Sequence, residues 1–189
     1  MSNFRRFTRQ IPLLIIWLMA SGLIWGFVFT RITDTDTAHK LTVYISAEVP
    51  GSAELAENLD DKKQGSIRMI QVRPFNYAML DSSSLMNADL YIVPESDMEA
   101  YRDWFAPLPE ALQMKGPAWE AGGIPCGVLI HIPSHTDSNA LSAYIRFEPQ
   151  RYYLCFGKNS LHFSANENAS DNEAERMALI LLDYGVSNT

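Results

Sequence analysis

The chain has 189 residues, 47% hydrophobic and 20% charged, with 15 basic against 22 acidic side chains and two cysteines. This length fits one domain with an appendage, and an apolar share near half excludes a disordered chain. Two cysteines exclude a disulfide scaffold, and a net charge of -7 excludes nucleic acid as the main partner, because phosphate binding needs a concentrated basic surface.

In chain order, the first element is apolar. Ile11 to Thr30 runs 20 residues without a charge, fifteen of them apolar. A helix needs about 20 such residues to cross about 30 Å of hydrocarbon. Pro12 falls in the first turn, where a missing N–H costs little. Arg5, Arg6 and Arg9 precede the run with no acid among the first ten residues, which by the positive-inside rule places the N-terminus in the cytoplasm. A cleavable signal peptide would have a shorter apolar region and a small-residue cleavage site, and Gly26-Phe27-Val28-Phe29-Thr30 offers none. The organisation expected is a cytoplasmic tail over 1–10, a transmembrane signal anchor over 11–30, a stalk over 31–40 and an extracytoplasmic domain over 41–189. The charge divides accordingly. Residues 1–32 carry four basic groups and no acid, leaving 15 − 4 = 11 basic and 22 acidic groups, a net -11, for the rest.

The domain alternates short apolar runs with helical signals. Leu41 to Ser46, Ile67 to Val72, Leu90 to Val93, Gly127 to Ile132 and Tyr152 to Phe156 read as strands. Ser52 is a candidate cap for a helix burying Leu55, Ala56 and Leu59. Ser96 with Glu99, and Ser170 with Glu173, match the capping box. The first would open a helix burying Met98, Tyr101 and Phe105, the second a C-terminal helix burying Ala174, Met177, Ala178 and Leu181. Asp137 is a candidate cap for a short helix over 138–145. Strand and helix in alternation predict an α/β sandwich with a mainly parallel sheet.

The segment Ala88 to Pro109 (ADLYIVPESDMEAYRDWFAPLP) is similar to a stretch of bacterial extracellular solute-binding proteins of ABC transporters. Tyr152 to Tyr184 resembles the end of small membrane-anchored relatives, and LTVYISAEVP near the domain's start belongs to the same likeness. The resemblance implies one lobe of a type 2 periplasmic-binding-protein-like fold, in an ABC-transporter setting. It departs from the family in length, because two lobes normally hold the solute between them and this chain has room for one. Ligands of open α/β sheets bind at the carboxyl ends of the strands. The ligand-binding candidates on that edge are Phe75, Asn76, Tyr77, Glu95 and Ser96, with Glu48 beside them.

Other constellations favour ordinary structure. His131 and His135 have a metal-like spacing, but Pro133 interrupts it and no third ligand follows, so no metal and no cofactor are expected. Cys126 and Cys155 lie at or in strands and read as unpaired buried thiols. A sortase-like cysteine transpeptidase would use Cys155, His131 or His135, and Arg176, but the threonine-rich approach of such enzymes is absent. Trp104, Phe105 and Trp119 flank a proline-rich stretch read as a loop, and are candidates for a partner surface. The expectation is a non-catalytic binding or accessory module, taking a small-molecule solute or a membrane-protein partner. The rivals are the transpeptidase and a purely structural partner domain.

Overall fold

Runs of β-branched and aromatic residues build the sheet in a computed structural model of the protein. It describes residues 2–33, 36–75, 83–134, 139–166 and 169–185; in its first helix, the side chains described are those of 12 and 14–28. The strands are β1 (Lys40–Ile45), β2 (Met69–Pro74), β3 (Leu90–Pro94), β4 (Ala118–Ala121), β5 (Ile124–His131) and β6 (Tyr152–Phe156). The helices are α1 (Ser2–Thr33), α2 (Ser52–Asp60), α3 (Ser83–Met86), α4 (Met98–Tyr101), α5 (Glu110–Gln113) and α6 (Glu173–Gly185). Two units separate, Met1–Asp36 and Thr37–Thr189.

The second unit holds one six-stranded sheet in the order β2-β1-β3-β6-β5-β4. β1 pairs in parallel with β2 and β3, and the other three pairings are antiparallel. The α/β class is as expected, but the sheet is mixed rather than mainly parallel. The reason lies in the connections. α2 carries β1 over to β2, whereas β4 and β5 join through Gly122-Gly123 as a hairpin. Both glycines have positive φ, 60° and 86°, the geometry a two-residue hairpin turn requires. Trp119 therefore lies in an edge strand, not in the loop expected for it.

The sheet is covered on both faces. One core packs Leu41, Val43, Ile92, Leu154 and Phe156 with Leu55 and Leu59 of α2 and with Ala174, Met177, Ala178 and Leu181 of α6. This is the C-terminal stripe that helical spacing predicts. The other core packs Tyr44, Tyr91, Tyr153 and Cys155 with Leu85, Met98, Tyr101 and Phe105.

The helix starts differ from the capping boxes. Gly51, not Ser52, is the cap of α2, and Ser52 is its first helical residue. Ser96 lies in a 3-10 turn and its hydroxyl donates to Asp97 Oδ1, so no box forms with Glu99. At α6, Asp171 Oδ1 accepts from the Glu173 amide, while the Ser170 hydroxyl turns back to the Leu161 carbonyl. The helix expected over 138–145 is a 3-10 turn, Ala140–Ala143, capped by the Asn139 side chain at 2.9 Å from the Leu141 amide. Asp137 lies outside the described residues.

The predicted span 11–30 falls within α1. Among the described residues no helix is long and apolar enough to cross a membrane. The described side chains within 11–30 are those of Pro12 and residues 14–28, short of a full span. The transmembrane assignment finds no support there and rests on the sequence.

Candidate functional site

At the carboxyl ends of the parallel strands the chain reverses its order. β2 lies on one side of β1 and β3 on the other, which creates the switch point where open α/β sheets bind ligands. Tyr44 and Tyr91 are direct cross-strand partners on one face there. Tyr101 and Trp104, from α4 and the 3-10 turn after it, stack at 4.9 Å and 26°. Phe75, the residue after β2, meets Tyr101 edge-on at 5.1 Å and Trp104 at 6.4 Å. Phe105 packs on Tyr91 at 5.7 Å. Ser46, Val93 and these six rings line a shallow depression with an internal volume of about 10 Å³.

Packing fixes the patch. The Tyr91 hydroxyl donates to the Leu85 carbonyl at 2.5 Å, and burial raises its pKa so that the phenol stays protonated. The Phe75 amide bonds the Ile45 carbonyl at 2.7 Å, which extends the β1–β2 pairing by one residue and points the chain at Tyr101. Phe75 and Trp104 are half-buried, and the rings beneath them are buried.

The sequence candidates are thus partly regrouped. Phe75 joins Trp104 and Phe105 in one patch, although they were expected on separate surfaces. Glu95 and Ser96 stay on the exposed turn after β3, where Glu95 stands 4.0 Å from Arg151. Neither lines the depression. Asn76 and Tyr77 lie outside the described residues. Trp119 packs against the same core from β4, at the far edge of the sheet. Tyr44, Tyr91 and Tyr101 were missed as site residues. For Tyr44 and Tyr91 the sequence signal was one tyrosine in each of two strand runs, at positions that only the register pairs.

A second cavity opens at the opposite, amino edge of the strands. It holds about 400 Å³ and is lined by Thr37, Lys40, Thr42, Asn87, Asp89, Asn159 and Leu161. Asp89 Oδ2 accepts from the Thr42 amide at 2.7 Å, and Oδ1 accepts from the Ser160 hydroxyl at 2.6 Å. Burial pushes the Asp89 carboxyl up, against the lowering effect of both donors. Behind it, the ring of the buried His162 bonds Asp171 at 3.0 Å. Burial tends to raise Asp171, but the Ser66 hydroxyl, the Glu173 amide and His162 outweigh it and hold the carboxyl low.

The remaining chemical candidates are structural in their geometry. Cys126 and Cys155 are buried free thiols, and burial raises both. Cys155 is fully buried with its sulfur 3.8 Å from that of Met98, the opposite of the exposed, electropositive setting a nucleophilic thiol requires. Arg176 pairs with Glu173 at 2.7 Å and donates to the Lys62 carbonyl. His131 is buried and lowered by burial, stacks on Phe147 at 4.1 Å, and its Nδ1 lies 3.1 Å from the Asn139 amide nitrogen. His135 lies outside the described residues, and no metal-binding group of three ligands occurs among those described.

Fold and site together define an α/β domain with a mixed open sheet and an aromatic patch at its switch point. The chain is similar in structure to an N-glycan transport solute binding protein from Streptococcus pneumoniae, solved in complex with Man1GlcNAc. The match has 14% identity and a TM-score of 0.32, over 49% of this chain and 25% of that one. It is a loose likeness of fold and carries no argument about ligands. No family model matches the chain, and no curated protein matches it.

Proposed function

We propose that this protein is a membrane-anchored, extracytoplasmic, non-catalytic binding module that presents half of a solute cleft. One observation carries the reading: Phe75, Tyr101 and Trp104 gather over Tyr44 and Tyr91 at the switch point of the sheet. Aromatic rings offer large, rigid contact area at low entropic cost. The depression is far too small to enclose a solute, so the patch serves as one wall and a membrane-protein partner supplies the other. The 20-residue uncharged run 11–30, preceded by three arginines, supports the anchor.

The test uses the full-length chain in detergent with a panel of sugars, amino acids and short peptides. A binder should raise the melting temperature and change tryptophan emission, and Trp104→Ala should remove both effects. If a solute shifts the melt and the shift survives in Trp104→Ala, the aromatic patch is not the ligand wall.

A further inference from the structure

We infer that the amino-edge cavity is a second binding site, separate from the aromatic patch, for a small hydroxylated carboxylate. Topology makes the cavity. β1 and β3 run parallel, so Lys40 and Thr42 start one strand beside Asn87 and Asp89, which lead into the other. β6 is antiparallel to β3, so the chain leaving it brings Asn159 and Leu161 to the same edge. The volume of about 400 Å³ lies within the ~300–1,000 Å³ range of small-molecule sites and is ample for a six-carbon chain.

Its walls are held before any ligand arrives. The Asp89 amide donates to the Thr42 carbonyl at 3.0 Å, and the Gly157 amide donates to the Asp89 carbonyl at 2.9 Å. Asn159 Nδ2 donates to the Met86 carbonyl at 3.3 Å, and its amide oxygen is still an acceptor. A Cβ at position 157 would overlap the Ala88 carbonyl, so only glycine permits this close approach.

Charge selects the ligand. Lys40 is the cation of the lining, and no ion pair involves it among the described residues. The carboxylate of the lining, Asp89, already has a donor on each oxygen. The site therefore presents the Lys40 ammonium, two carboxamides and the Thr42 hydroxyl beside the apolar Leu161. A carboxylate fits the ammonium, and hydroxyls fit groups that both donate and accept.

Gluconate and glucitol test this directly, since the two share a six-carbon hydroxylated chain and differ in the terminal carboxylate. Titration calorimetry of the full-length chain in detergent should show saturable gluconate binding, with glucitol about tenfold weaker or worse. Gluconate should protect amides within 37–42, 87–90 and 157–161 from hydrogen exchange, and Lys40→Met should reduce its affinity to that of glucitol. Equal affinity for the two probes overturns the inference. So does the absence of gluconate heat at concentrations on the order of 10 mM, or protection located at the aromatic patch. The probe comparison is made on the native chain, so it stands even if the Lys40 variant does not fold.

Discussion

Asp89 shows how one buried residue sets a pH dependence. Its backbone ties β3 to β1 and to the chain leaving β6, while its carboxyl ties Thr42 to Ser160. Burial raises the carboxyl above its unfolded value of about 4, so between that value and the higher folded one the native state binds more protons than the unfolded state. Stability then falls as pH rises through this window. Asp89→Asn abolishes the titration and keeps both contacts, because its oxygen accepts from Thr42 and its NH2 donates to a rotated Ser160 hydroxyl. Asp171, held low, acts with the opposite sign: its contribution is present above its unfolded value and is lost as pH falls. It is common to both proteins, and only the part that depends on the charge of Asp89 differs between them. Melting curves of wild type and variant from pH 3.5 to 7.5 should therefore converge at the acid end, with the variant gaining as pH rises. A difference independent of pH would show that Asp89 ionises freely in the fold.

The elements show which features were legible in the sequence. Tyr152–Phe156 is buried at every position, so a continuous apolar run marked it as a strand without giving its direction. The parallel expectation failed at this strand, which follows a 3-10 turn and loop where a crossover helix was expected. β4 escaped because Ala118–Ala121 is only 4 residues long, half-buried at best, and announced chiefly by the glycine pair after it. Phe75 and Trp104 were legible as candidates, but their contact was not, since it depends on β2 and the turn after β3 converging. The amino-edge cavity had no motif, because its lining comes from three distant segments that only the register joins. α6 was the most legible, as helical spacing exposed its apolar stripe. Its importance follows from that stripe. Leu181 is fully buried in the core shared with the sheet, and Leu181→Ala should cost about 3 kcal/mol in denaturant unfolding. Asp183 on the exposed side of the same helix should tolerate alanine within about 0.5 kcal/mol. Equal costs at the two positions would mean that α6 does not dock as described.

At the scale of the whole molecule, the net charge of -7 averages two dissimilar parts. The first 32 residues carry only positive charge, whereas the remainder carries twice as many acidic as basic groups. In α1, the large apolar side chains Trp17, Leu23 and Trp25 are 69%, 74% and 71% exposed. Each such side chain left in water forgoes about 1.5–3 kcal/mol of burial, a cost that lipid removes. The second unit has the opposite character: two cores, one on each face of its sheet, formed wholly by residues after Thr37. These differences predict separable behaviour. The full-length chain should remain in the membrane pellet after alkaline carbonate washing, whereas a fragment of residues 37–189 should be released and melt in one cooperative transition. Recovery of the full-length chain in the carbonate supernatant would refute the anchor. A fragment that melts without cooperativity would show instead that the domain depends on residues 1–36 for its fold.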